Sequence, residues 1–103
     1  MMDSARRKRL KDAGWKTGKV ADFLRLTPEE SALIEIKLRL SELVRKARTR
    51  GRLSQIALAH RLGSSQSRVA KIEAGDPSVS LDLLVRASFA SGATRKELAR
   101  AIA

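Results

Sequence analysis

The stretch LSQIALAHRLGSSQSRVAKIEAG, residues 53–75, decides the fold. Ser54 stands where a helix N-cap is needed, and the segment after it turns Leu58, Ala59 and Leu62 to one side. Gly63 with Ser64 and Ser65 makes a short turn, and Ser65 caps a second helix that stops at Gly75. Stepping about 100° per residue from Gln66 puts Val69 and Ile72 about 60° apart, as the buried side of that helix. Ser67, Ala70, Lys71 and Ala74 fall on the opposite side, with Gln66 and Arg68 flanking them. Small residues there allow close approach to a surface. A glutamine amide can pair with the N6/N7 edge of adenine, and a lysine can reach guanine or phosphate. Backbone N–H groups at the helix N-terminus suit an anion. Two short helices joined through a glycine, the second open on its outer side, have the form of a helix-turn-helix.

Outward from this hairpin the chain reads as helical on both sides. Downstream, Asp76-Pro77 forbids helix continuation, so DPSVS is a loop. Ser80 then caps LDLLVRASFA, with Leu81, Leu84, Val85 and Phe89 as the expected inner stripe. After Gly92, Thr94 and Glu97 have capping-box spacing ahead of LARAIA. Upstream, TPEE opens a helix: Thr27 is the N-cap, Pro28 the first helical residue, and Glu30 closes a capping box. Its apolar residues Leu33, Ile36, Leu40, Leu43 and Ala47 form a seam about two heptads long. That seam serves either the chain's own core or a second copy; sustained coiled coils run to about three or four heptads, which favours the core. Gly51 marks the end of this helix. No alternation of strand type occurs, and the fold class expected is all-α.

The expected organisation is a basic, flexible arm at 1–18, a helical extension at 19–35 and the helix-turn-helix domain at 36–103. In the arm Arg6, Arg7, Lys8, Arg9 and Lys11 repel one another with little apolar material to fold around. It serves either as a solubilising tail or as an arm on DNA phosphates. Trp15 is expected to pack on the following segment, KVADFLRL, whose Val20, Phe23 and Leu24 form a one-sided stripe.

The composition limits the function classes. In 103 residues, 22 Lys and Arg against 11 Asp and Glu leave a net charge of +11. A surplus this large favours a polyanion: nucleic acid first, then an anionic membrane or an acidic protein. The chain has no cysteine, which excludes disulfides and thiolate zinc sites. No apolar run approaches the roughly 18–20 residues that span a bilayer, and the basic start has no apolar segment behind it, as a signal peptide would. Enzyme chemistry is not expected. His60 is the sole histidine and lacks a carboxylate one turn away, and Glu29 and Glu30 sit in a first helical turn, where the dipole favours acids. Glu42 with Arg45 or Lys46 has helix-surface pairing spacing. GWKTGK lacks the spacing of a phosphate loop. No catalytic residue, metal ligand or cofactor is assigned.

Residues 53–75 resemble the helix-turn-helix of the phage-repressor-like (Cro/C1, or XRE) family. The likeness runs through Leu53, Ser54 and Gln55, then Leu58-Ala59, Leu62-Gly63, Ser65-Gln66-Ser67, Ile72-Glu73 and Gly75. It implies a five-helix Cro/C1-type domain, here with an N-terminal helical extension. It further implies that Gln55 contacts phosphate and braces Gln66, that Gln66, Ser67 and Lys71 face bases, and that Arg48 pairs with Glu73. Ser65 and Arg68 complete the expected DNA-binding set. The sequence departs from the family pattern at three positions. Ser64 replaces a branched apolar residue and so threatens to loosen the hairpin. Arg52 replaces the usual glycine before Leu53, and Gly51 occupies a place where an apolar residue is common.

The upstream GWKTGKVADFLRLTPEE, followed by a helix, resembles a narrower group of small XRE regulators comparable to HigA-type antitoxins. This implies a homodimeric repressor of its own promoter, bound to a palindromic double-stranded DNA operator, with a RelE-, HigB- or Gp49-like toxin as partner. The setting implied is the cytoplasm of a bacterium or phage host, at the nucleoid, with no membrane role. Two other readings remain: a non-specific nucleic-acid-binding protein driven by charge, and a toxin-binding module without a DNA role.

Overall fold

A computed structural model of the chain describes residues 26–103, and these form five α-helices with no strand among the described residues. They are α1 (Pro28–Arg50), α2 (Gln55–Leu62), α3 (Gln66–Ala74), α4 (Leu81–Ala90) and α5 (Arg95–Ile102). The fold is therefore the all-α, five-helix arrangement that the sequence implies. Expectations for the arm at 1–18, for Trp15 and for the Val20, Phe23 and Leu24 stripe fall outside the described residues. Helix α1 runs unbroken through residues 35 and 36.

Local signals set the helix starts. At α1 the Thr27 hydroxyl accepts from the Glu30 N–H at 3.1 Å, while the Glu30 carboxylate accepts from the Thr27 N–H at 3.3 Å. Thr94 and Glu97 repeat this box at α5, with distances of 3.1 and 3.0 Å. The hydroxyls of Ser54, Ser65 and Ser80 each accept one orphan N–H of α2, α3 and α4. Such caps contribute about 1 kcal/mol each to helices of only 8–10 residues, which are too short to persist alone.

Helix α1 is the spine. The α2–α3 hairpin, α4 and α5 all pack around it, and Leu40, Val44, Leu58, Val69, Ile72 and Leu84 meet in a core at or below 1% exposure. The inner face of α1 corrects the sequence seam. Leu40 and Ala47 are buried as expected, but Leu33 is 40% exposed and Ile36 and Leu43 are only half-buried. Ile34, Leu38, Ser41 and Val44 are buried instead. The cause is that α1 is covered on more than one side, so its buried arc is wider than a single stripe. The stripe on α4 is corrected too: Leu83, Leu84, Ala87 and Ser88 point inward, while Leu81 and Phe89 stand 39% and 43% exposed. Ser41, Ser88 and Ser91 can be buried because each hydroxyl bonds a carbonyl one turn back, at 3.0, 2.8 and 2.7 Å. The pairing expected for Glu42 does not form; the exposed pair on α1 is Glu35–Arg39, at 3.8 Å.

Gly51 ends α1, as the sequence indicates. Gly51, the C-cap of α1, has φ −82°, which any residue adopts, and Arg52 takes the left-handed turn at φ 56°. The Arg52 N–H donates to the Thr49 carbonyl and the Leu53 N–H to the Arg48 carbonyl, both at 3.0 Å. An L-residue with a Cβ in this conformation costs about 1–2 kcal/mol, part of which glycine returns through its freer unfolded chain. Arg52→Gly is therefore expected to stabilise the fold by about 0.5–1 kcal/mol, seen as a higher urea midpoint at unchanged slope.

Helix α5 is clamped to α1 through charge. Arg50 Nη1 and Nη2 donate to Glu97 Oε2 and Oε1 at 2.7 and 3.2 Å, and Nη2 also reaches the Gly92 carbonyl at 3.3 Å. The Arg50 guanidinium first, and the Thr94 backbone N–H second, hold the Glu97 carboxyl at about 2 against an ordinary 4.5. A carboxyl whose folded value is depressed stabilises the fold fully above its unfolded value, and that contribution is lost as pH falls towards the folded value. Wild-type unfolding free energy should thus fall between pH 4.5 and about 2. Glu97→Gln should flatten that slope, as read by urea titrations across the window.

Candidate nucleic-acid interface

The hairpin turn is closed by its backbone. Gly63, at φ 61° and ψ 38°, ends α2 in the left-handed conformation, and its N–H donates to the His60 carbonyl at 3.2 Å. The Ser64 N–H then donates to Ala59 at 2.8 Å, so the turn forms with serine at this position. Val69 and Ile72 are fully buried and press α3 onto the core. The outer side of α3 is open: Gln66, Ser67, Arg68, Lys71 and Ala74 are exposed and Ala70 is half-buried. Neither Arg68 nor Lys71 forms an ion pair among the described residues, so both charges are available to a ligand.

Behind this face lies a connected polar network. Arg48 holds Glu73 through two hydrogen bonds, Nε to Oε2 at 2.5 Å and Nη2 to Oε1 at 2.9 Å, and its Nη1 reaches the Leu53 carbonyl at 2.8 Å. The Glu73 side chain is 6% exposed and that of Arg48 14%. The hydrogen bond to Glu73, outweighing the opposing effect of burial, raises the Arg48 pKa above its already high ordinary value. Gln55 Nε2 donates to Glu73 Oε1 at 3.3 Å, and Gln66 Nε2 donates to Gln55 Oε1 at 2.8 Å.

A carboxylate only accepts, so Glu73 obliges Gln55 to turn its amide NH2 inward and its oxygen towards Gln66. Gln66 answers with one N–H and keeps its carbonyl oxygen and second N–H free. That remaining donor and acceptor match the edge adenine presents in a major groove. The implied Arg48–Glu73 pair and Gln55–Gln66 brace are thus both present, and the Gln55–Glu73 contact joins them into a single chain of bonds.

A second wall of the site comes from the loop after α3. An open cleft of about 310 Å³ is lined on one side by Ser65, Ser67, Arg68 and Lys71 and on the other by Ser78 and Ser80. Lys37 Nζ ties this loop to α1 by donating to the Pro77 carbonyl at 3.1 Å. The Asp76 carboxylate accepts from the Ser78 hydroxyl and backbone N–H, at 2.7 and 2.8 Å, and these bonds lower its pKa. Sequence reading missed Ser78 and Ser80 because DPSVS announces only a turn; nothing in its composition says which side of the loop meets α3. Ser65 is present in the site, but its hydroxyl already serves the Arg68 N–H. Gln55, Gln66, Ser67, Arg68 and Lys71 remain as groups for a ligand. His60 is exposed on α2, away from this network.

Residues 44–88 match a protein-family model described as Helix-turn-helix, which is under half of the 103-residue chain. A comparison with curated proteins and one with solved structures returned no match. Fold, open α3 face and family match together define the class as a helix-turn-helix DNA-binding domain of a regulator. The matched segment is similar to that family and spans α2, α3 and most of α4 together with the end of α1. Among the described residues no helix is long and apolar enough to cross a membrane.

Proposed function

We propose that the chain is a sequence-specific transcriptional repressor that binds a palindromic operator as a homodimer and represses its own promoter. The observation that carries this reading is Gln66: its amide is oriented from behind by Gln55 and Glu73 while its outer donor and acceptor stay free. A protein binding by charge alone has no use for a buried carboxylate that sets the polarity of one exposed amide. In this reading α3 lies in the major groove, Gln66 and Ser67 meet base edges, and Lys71 meets a base or phosphate. Arg68 and Gln55 grip the backbone on either side. Two copies bind half-sites about 34 Å apart.

The regulator is further read as the antitoxin of a toxin–antitoxin pair in a bacterial cytoplasm, acting at the nucleoid. The support is the resemblance of residues 14–30 to HigA-type regulators, together with the exposed Leu33 on the helix that follows. Its partner would be a RelE-, HigB- or Gp49-like RNA-cleaving toxin. Co-expression with the product of the neighbouring reading frame tests this: restored growth and a co-purifying complex support it, and unrelieved toxicity or no toxicity at all refutes it.

A mobility shift on the chain's own promoter tests the repressor reading. Gln66→Ala should reduce the preference for the operator over a scrambled duplex by about 1–3 kcal/mol, attributable to one base pair per half-site. The rival reading is favoured by the net charge of +11. It predicts that affinity follows salt alone and that Gln66→Ala changes nothing.

A further inference from the structure

Reading a palindrome requires the chain to meet a second copy of itself, and the exposed faces are not equally suited to that. The outer side of α5 carries Arg95, Lys96 and Arg100, exposed and without an ion pair among the described residues. Set against its own copy it would place cation on cation. Ile56 on α2 is 60% exposed, but one turn on stands His60 and not a second apolar residue. Helix α4 is different. Leu81, Val85 and Phe89 recur every four residues along one flank, with Leu81 and Phe89 39% and 43% exposed. Beside them Asp82 and Arg86 form a pair of opposite sign at 3.3 Å, with side chains 80% and 64% exposed.

We propose that α4 is the surface on which two copies pair, antiparallel about a two-fold axis at Val85. This rests on the repressor reading above. An isologous contact must be self-complementary, and this flank is. Leu81 of one copy faces Phe89 of the other, Phe89 faces Leu81, and the two Val85 side chains meet on the axis. The symmetry brings both charged flanks to the same side. There Asp82 and the other copy's Arg86 differ by two residues in level, about 3 Å along the helix, which an arginine spans. Every charge on the flank therefore meets its opposite. The stripe is about 12 Å long and offers three apolar side chains per copy, where a stable interface engages about 20–30 residues a side. The pairing is accordingly weak between free chains and strong when operator DNA holds two copies side by side.

The chain has no cysteine, so one introduced thiol reports on the axis directly. Full-length Val85→Cys, mixed with promoter duplex under mild oxidant, is expected to give a disulfide-linked dimer on non-reducing gels. Ile56→Cys, treated alike, is expected to stay monomeric. Leu81→Ala combined with Phe89→Ala should weaken cooperative filling of the two half-sites about tenfold and leave single-half-site binding unchanged. No link through position 85, equal linking through position 56, or intact cooperativity in the double variant would each overturn the proposal. If the promoter still shifts cooperatively in those cases, the repressor reading stands and only the α4 contact is wrong. If the promoter never shifts, the repressor reading fails, and cross-linking of the concentrated free chain decides the α4 contact separately.

Discussion

Glu73→Ala is expected to lower the unfolding free energy by about 3 kcal/mol and to blunt operator selectivity in the same protein. Breaking a buried ion pair from one side costs roughly 3–5 kcal/mol, because the other charge is left without its partner. The low end applies because the Arg48 guanidinium, 14% exposed, keeps some contact with water. The second effect follows from the bonds behind α3. Without the carboxylate, Gln55 has no reason to keep its NH2 inward, and Gln66 loses the fixed orientation of its amide. Urea denaturation gives the first quantity, and the affinity ratio of operator to scrambled duplex gives the second. Arg48→Met with Glu73→Leu should recover most of the stability, since an apolar pair of similar volume replaces both charges. It should not recover selectivity. Recovery of both would mean that the pair only holds α1 to α3.

Leu40→Ala is expected to cost about 2–5 kcal/mol, and Leu33→Ala under about 1 kcal/mol, although both are leucines of one helix and both belong to the apolar seam of the sequence. Leu40 is fully buried among α1, α4 and the α2–α3 hairpin, whereas Leu33 is 40% exposed. Domains of this size have total stabilities of about 5–15 kcal/mol, so the first change removes a large share and the second little. Thermal melts compare them directly, each kcal/mol moving Tm by about 4–8 °C. Similar losses for the two variants would place the buried arc of α1 where the sequence seam put it.

The contrast between these leucines marks where sequence reading stops. Capping is local, so Thr27, Ser54, Ser65, Ser80 and Thr94 announce the five helix starts among the described residues from their neighbours alone. The two-sided character of α3 is equally legible, because a short helix with only Val69 and Ile72 to bury has one inner face. A 23-residue helix covered by several partners has a broad inner arc, and its spacing alone does not place that arc. Apolar residues also need not be inside: Leu81 and Phe89 look like core and are half in water. Ser41 and Ser88 mislead in the other direction, since a hydroxyl bonded one turn back packs as a small apolar group. In the site, resemblance implied the Arg48–Glu73 and Gln55–Gln66 pairs separately. Their union through Gln55 and Glu73 depends on a distance of 3.3 Å between helices, which no sequence pattern encodes.

The central claim is that the exposed side of α3 enters a DNA groove, and amide spectra of the labelled chain titrated with its own promoter duplex test it most directly. The predicted result is that the Gln66 side-chain amide and the backbone amides of Ser67 and Lys71 shift first and furthest, with Arg95, Lys96 and Arg100 on α5 nearly unmoved. Large shifts along α5 with an unchanged Gln66 amide would contradict it.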